Sequence, residues 1–319
     1  MRFFFKLLIV LCVVFSCSDK NKQQEAISKI NVDFNIKRFD IDFYTANKET
    51  LPKIKKKYPY LFPADFSDSL SLAKINDKQE QELFTETQKI YTNTSTIETQ
   101  LASLFKHIKF YNPKFTAPNV VTMLTNIDYD SRVIYADSLL FVSLDVYLGK
   151  LHKFYVDFPK YIKENNTQNH IVVDVANAII DKQILPSNKR RFIDKIIYEG
   201  KKMYLLSSYL PSILEKEKIG YSNEKLNWAK ENEEQIWSYF IDKKLLFNTD
   251  TKLNKRFIEN APFSKFYLEQ DNLSPGRVGV WIGWQIVRSY MQNNDVSLQE
   301  LLKMDEEIIF KKSKYKPKK

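Results

Sequence analysis

Cysteine is nearly absent from this 319-residue chain: Cys12 and Cys17 are its only two, both within the first 17 positions. Nothing beyond Cys17 carries a thiol, which excludes a disulfide framework, a Cys-ligated zinc or iron–sulfur centre and a cysteine nucleophile from the body. Glycine is scarce as well: there are six, where ordinary usage of about 7% would give roughly 22. No GxGxxG or GxxxxGK[ST] string occurs, so the usual phosphate-cradling loops are missing. Histidine is limited to His107, His152 and His170, far apart and without an HExxH pair. No metal site and no cofactor is expected from such a sequence.

What is present supports a large core. Hydrophobic residues make up 44% and aromatics 14% of the sequence, which excludes a disordered protein. No internal repeat is visible, and a single domain over 30–310 is expected.

The N-terminus reads as an address. Arg2 and Lys6 form a basic n-region, and Leu7 to Phe15 is an apolar run too short to span a bilayer. The run ends in Val14-Phe15-Ser16-Cys17, which resembles a bacterial lipobox. Such signals are cleaved before the cysteine, so 1–16 is expected as signal peptide and Cys17 as the lipidated residue. Several acyl groups on one residue anchor stably where one alone does not. Ser18 follows, without the Asp that favours inner-membrane retention, so the expected location is the periplasmic face of the outer membrane. Residues 17–29 are polar and aperiodic beyond the cysteine and read as a flexible tether.

The sequence has a net charge of +10; removing Arg2 and Lys6 leaves +8. Lys311, Lys312, Lys314, Lys316, Lys318 and Lys319 fall in the last nine positions, a block that reads as a solvated basic tail over 311–319. Nucleic acid is a poor partner for an exported protein; anionic headgroups or an acidic protein suit this charge better.

Hydrophobic periodicity predicts an α+β fold, with a small, mostly N-terminal sheet and a largely helical C-terminal half. Val32, Phe34 and Ile36, then Phe39, Ile41 and Phe43, alternate as strands do. Residues 49–70, with three prolines, read as loop with at most a short helix. Two helices follow, from about Asn76 to Tyr91 and from Thr94 to Ile108. Two β-type runs, Asn119 to Ile127 and Leu139 to Tyr147, flank Arg132 to Tyr135. Helices are expected at about 168–184, 187–209, 223–243, 250–259, 275–292 and 297–304.

Three of the six glycines fall in Ser274-Pro275-Gly276-Arg277-Val278-Gly279-Val280-Trp281-Ile282-Gly283. Ser274 suits a helix N-cap and Pro275 the first helical position. Gly276, Gly279 and Gly283 would then share one face, either packed against another helix or open as the floor of a binding groove. Gly200, in Tyr198-Glu199-Gly200, sits inside an expected helix, where close packing is the default.

Four features together resemble the gliding motility lipoprotein family GldB of Bacteroidetes. They are the lipobox, Leu144-Asp145-Val146-Tyr147-Leu148-Gly149 with Tyr155 and Pro159-Lys160-Tyr161 after it, Tyr198-Glu199-Gly200, and the segment 274–287. The last segment is also similar to one in a family of zinc-dependent peptidases that resemble zincins. That more distant resemblance implies a zincin-like scaffold. Val173-Asp174-Val175-Ala176-Asn177 falls where HExxH would lie, and Glu199 where a third ligand would be. Val cannot ligate a metal and Asn is a weak zinc ligand, so the scaffold is expected without its metal site. Asp174 and Glu199 remain as the weak catalytic candidates. A metal held by His170, Asp174 and Glu199 is the alternative, as is a surface ion pair of Glu199 with Lys195 or Lys202. Tyr147, Asp174, Asn177, Arg277, Gly276, Gly279 and Gly283 are the candidates for a binding groove, with Arg277 suited to gripping a peptide carboxylate.

The family resemblance implies an envelope component of the gliding machinery and other gliding or secretion proteins as partners. The expected role is that of a non-catalytic scaffold or binding protein. The alternative is a divergent zinc-type peptidase or hydrolase of the envelope.

Overall fold

The computed structural model describes residues 21–318. The signal peptide, Cys17 and Lys319 lie outside the described residues. Four strands form one sheet: β1 (Ile36–Arg38), β2 (Asn119–Met123), β3 (Val133–Ala136) and β4 (Leu139–Ser143), in the order β1-β2-β4-β3. β1 and β2 are parallel, as are β2 and β4, while β3 and β4 make an antiparallel hairpin. Ala136 faces Leu139 across a two-residue turn in which Asp137 takes φ 50°. Asp is among the few residues that tolerate this left-handed region, so it suits the turn.

The helices are α1 (residues 21–28), α2 (Phe39–Tyr44), α3 (Leu51–Lys57), α4 (Asp68–Asn76), α5 (Lys78–Ile90) and α6 (Ser95–Tyr111) before β2. After β4 come α7 (Lys160–Lys163), α8 (Ile171–Gln183), α9 (Phe192–Tyr209), α10 (Glu215–Ile219), α11 (Asn223–Glu231) and α12 (Glu233–Asp242). The last four are α13 (Lys252–Phe257), α14 (Val278–Asn293), α15 (Leu298–Lys303) and α16 (Glu306–Lys312). The α+β class and the helical C-terminal half are as expected.

α14 is apolar on nearly every side, from Val278 to Val287, which marks a helix enclosed by others. It crosses α9 at glycine. A Cβ on Gly283 would collide with the Ile196 carbonyl, and one on Gly200 with the Gly283 carbonyl. A Cβ on Gly279 would lie 2.8 Å from the Phe257 oxygen. The two backbones therefore approach as closely as surfaces bare of side chains allow, and Trp281 and Trp284 are buried beside the crossing.

Several expectations need correction. Phe39, Ile41 and Phe43 belong to a helix, not to a second strand. Phe39, Asp40, Phe43 and Tyr44 are its buried residues, the i, i+4 pattern of a helix face. Asp40 is fully buried and accepts from Arg38, Gln88 and Thr122, so β1, β2, α2 and α5 meet on one satisfied carboxylate. The stretch 49–70 is not mainly loop: Pro52 sits in the first turn of α3, where proline is favoured, and Ser67 caps α4. The expected helix 223–243 is two helices, broken at Asn232.

Both supposed tails are docked. Residues 21–28 are helical rather than a loose tether: Ile27 is buried, Gln23 Nε2 donates to the Tyr111 hydroxyl at 2.6 Å, and Lys106 Nζ donates to the Ser28 carbonyl at 3.1 Å. At the other end, Lys311 and Lys312 finish α16. Tyr315 donates to Glu233 Oε1 at 3.0 Å, and the Lys318 N–H to the same oxygen at 3.2 Å. The C-terminal lysines are thus laid along the body by a buried carboxylate. Among the described residues, no helix is long and apolar enough to cross a membrane.

Candidate functional site

β4 runs into a short 3-10 turn, Leu144–Val146, whose Leu144, Asp145 and Val146 are all buried. The Asp145 carboxylate accepts the backbone N–H of Thr125 at 3.1 Å and of Ile127 at 2.7 Å. Asn126 and Ile127 are both left-handed, at φ 61° and 62°. That conformation is costly for a β-branched residue, and Asp145 holds it by collecting the N–H groups it exposes. Burial pushes the Asp145 carboxyl up to about 6 despite these bonds. The Tyr155 hydroxyl donates to the Asp145 carbonyl, and the Tyr91 hydroxyl to the Tyr147 carbonyl at 2.7 Å. The sequence string 144–149 is therefore a rigid mount for Tyr147.

Tyr147 is buried, and its hydroxyl donates to Asp174 Oδ2 at 2.7 Å. Arg132 Nε pairs with the same oxygen at 3.0 Å. His170 Nε2 lies 3.6 Å from Asp174 Oδ1, and its Nδ1 lies 3.8 Å from Glu217 on α10. Burial and the Asp174 charge together push the Tyr147 hydroxyl well above its ordinary value. Burial works against the Arg132 charge, but Asp174 and the neighbouring tyrosine oxygens outweigh it and raise its pKa. The nearby His170 imidazole holds the Glu217 carboxyl below its usual value in spite of burial. The result is a largely buried polar cluster tying the start of β3, the Tyr147 turn, α8 and α10 together.

The guanidinium of Arg132 lies 4.0 Å from the centre of the Tyr129 ring. Tyr129 also lines a cavity of about 860 Å³, with Tyr161, Tyr221, Phe263, Gly276 and Arg277 among the other walls. Arg277 is left-handed, at φ 60°, and occupies the N-cap position of α14 without capping it by its own side chain; the Val278 N–H donates instead to the Ser264 hydroxyl at 3.4 Å. Its Nη1 donates to the Ile219 carbonyl at 3.1 Å. Tyr221 donates to the Gly276 carbonyl at 2.6 Å, which fixes the backbone that carries the arginine.

The expected site residues therefore separate. Gly276 and Arg277 line the cavity. Tyr147 and Asp174 lie behind it, in the cluster backing Tyr129. Asn177, one turn along α8, is half-buried and outside the lining. Gly279 and Gly283 do not floor a groove, because α9 fills that face. Gly276 is not on the helix at all: α14 starts at Val278, and Ser274 instead ties the preceding loop to Ser264. Glu199 does not meet Asp174. It lies 3.6 Å from Lys202, which pairs with Asp181 at 2.8 Å. Asp181 is seven residues beyond Asp174 on α8, about 10 Å along the axis. Among the described residues no three His, Asp or Glu side chains gather as a metal site.

Sequence reasoning missed Arg132, Tyr129 and Glu217. Arg132 is 42 positions from Asp174, and no local spacing announces a pair formed by tertiary packing. One signal was available: Pro159-Lys160-Tyr161, among the strings that carry the family resemblance, supplies a wall of the cavity.

No curated relative and no solved structure matches the protein. The sequence model of a lipoprotein family described as gliding motility protein GldB matches residues 20–317. The chain belongs to that family and is a gliding-motility-related lipoprotein.

Proposed function

We propose that, as a member of this family, the protein serves the gliding machinery by binding rather than by catalysis. It is held at the periplasmic face of the outer membrane through a lipid on Cys17. Its partners are other proteins of the gliding or secretion apparatus.

The observation that carries this reading is the state of Asp174. A carboxylate that activates water needs a lone pair directed at the substrate. Asp174 is buried, and one of its oxygens already accepts from both Tyr147 and Arg132 while the other faces His170. Val173 and Asn177 stand where a zinc peptidase needs imidazoles. Glu199 is engaged with Lys202. Asp174 thus looks inward and holds elements together, and Glu199 is an ion-pair partner on its own helix. The docked C-terminal lysines suit the same role by giving the body a basic surface next to anionic headgroups.

The test is complementation of a strain lacking the protein, with Asp174→Asn and Glu199→Gln at matched protein levels. Both variants are expected to restore gliding. Loss of gliding in both, together with one equivalent of zinc in the purified wild type that either variant loses, would establish the peptidase alternative. Cys17→Ala is expected to release the protein from membranes or to leave it unprocessed; normal retention would overturn the anchor.

A further inference from the structure

We infer that the 860 Å³ cavity in front of Tyr129 is a binding site for a peptide segment bearing a carboxylate, which Arg277 receives. The inference rests on the binding role proposed above only in holding that the peptide is retained and not cut.

The charges around the cavity point to an anion. Its lining carries three cations, Lys160, Lys225 and Arg277, and two carboxylates, Glu164 and Glu224. Glu164 is paired with Lys150 at 2.9 Å, and Glu224 accepts from the Ser222 hydroxyl at 2.7 Å. Lys225 is fully used: its ammonium donates to the carbonyls of Asn272, Leu273 and Ser274 at 2.8, 3.0 and 2.7 Å. Lys160 is exposed at the mouth and forms no ion pair among the described residues. Arg277 is half-buried in the wall and likewise pairs with no carboxylate among the described residues; a single N–H is taken by Ile219. A half-buried guanidinium is only partly hydrated, so a ligand carboxylate is held more strongly there than at a fully exposed arginine.

The geometry suits a carboxylate. Among the described residues only one N–H of the Arg277 side chain is engaged, so a guanidinium edge is left whose parallel N–H groups match two coplanar oxygens.

The remaining walls select a peptide. Tyr161, Tyr221, Phe263 and Pro262 offer apolar and aromatic surface, and the Asn165 and Asn260 amides offer donors and acceptors for a backbone. The volume lies within the range of small-ligand sites, roughly 300–1,000 Å³. Arg277 is not free to swing away, because its backbone is held by Tyr221 and its side chain by Ile219. Such preorganisation lowers the ordering cost of binding.

The test uses the full-length lipoprotein in detergent micelles and fluorescence anisotropy of three labelled hexapeptides. One ends in Leu-Phe with a free carboxylate, one is its C-terminal amide, and one is the amide with an internal Glu. Wild type is expected to bind the acid at least tenfold more tightly than the plain amide. The Glu-containing amide distinguishes the sources: binding like the acid makes the carboxylate of a Glu side group sufficient, and binding like the plain amide assigns the free C-terminus of a peptide. Arg277→Gln is expected to weaken the acid about tenfold and leave the plain amide unchanged, with Arg277→Lys in between, since it keeps the charge and loses the fork. Equal binding of acid and amide by wild type, or no binding of any peptide, overturns the inference whatever the variants do. Mass spectrometry of the bound acid separates the two readings. A cleaved peptide would overturn the non-catalytic role while leaving the carboxylate site standing.

Discussion

Glycine serves opposite purposes on the two sides of the α14 N-terminus. In the first two turns of the helix, Gly279 and Gly283 lie against α9 and the Phe257 carbonyl, and Gly200 answers from the other side. The missing side chains there let backbones meet. Just before the helix, Gly276 lies in a cavity wall, and Gly220 closes α10 in the left-handed conformation at the rim of the same cavity. There glycine shapes loops that frame an opening. A spacing that looks continuous in sequence is divided by the structure at Arg277, where the backbone turns left-handed and the helix begins.

The largest expected effect lies at the crossing. Gly283→Val would drive a Cβ into the Ile196 carbonyl, and neither helix can move without displacing Trp281 and Trp284. It should cost about 4 kcal/mol or more, enough to prevent folding in a marginally stable domain. Circular dichroism and soluble yield check this; a folded Gly283→Val protein would show that the crossing is not tight.

Next comes the cluster behind the cavity. Asp174→Ala leaves Arg132 largely buried without its counter-ion and should cost about 3 kcal/mol by urea denaturation. The combined replacement Asp174→Leu, Arg132→Met and Tyr147→Phe, which also removes the hydroxyl that Asp174 accepts, should recover most of that loss. A triple variant as unstable as the single would mean that the polar cluster itself, and not the stranded groups, sets the stability.

Asp145 should give a pH signature of opposite sign to ordinary acid unfolding. Its carboxyl stands at about 6 in the fold, above its unfolded value of 3.8. The protonated form is therefore the stabilised one. Its contribution is complete below pH 3.8 and is lost as pH rises through about 6. Asp145→Asn removes this dependence, so its stability relative to wild type should rise by about 2 kcal/mol between pH 4 and 7. Urea midpoints at the two pH values measure it; parallel behaviour of wild type and variant would contradict the burial cost at this site.

The smallest effect belongs to the rim. Gly220→Ala must hold a Cβ at φ 76°, against a flexible Asn165 side chain 2.8 Å away. It should cost only about 1–2 kcal/mol. The contrast with Gly283→Val is the sharpest check on the two uses of glycine.

Most of the architecture is legible in the sequence because helix periodicity is local. The helices α5, α6, α8, α9, α13, α14 and α15, the strands inside the runs 119–127 and 139–147 and the packing role of Gly200 follow from residues that neighbour one another. The short α7, α10 and α16 carry too little periodicity to be read, and the break between α11 and α12 at Asn232 was not visible. Phe39 to Phe43 misled because three alternating apolar residues fit period two, while burial of Asp40 beside them, which marks the helix face, depends on its Arg38, Gln88 and Thr122 partners. The candidate site was legible only in part. Arg277 and Gly276 stood out through glycine scarcity, and Asp174 through its position on α8. Arg132 and Tyr129 did not, because stacking and ion pairing across 42 residues leave no periodic trace. Ser274 had the chemistry of an N-cap and bonds to Ser264 instead, since a left-handed Arg277 ended the loop three residues later.

The docking of residues 21–28 sets how far the body can stand from a bilayer. With a lipid on Cys17, residues 17–20 are all that link the acyl groups to a helix seated on α6. Four residues reach at most about 14 Å, about twice the depth of one headgroup layer. Under the anchoring proposed above, the body stays within that distance of the bilayer surface, so a partner would have to come to it there.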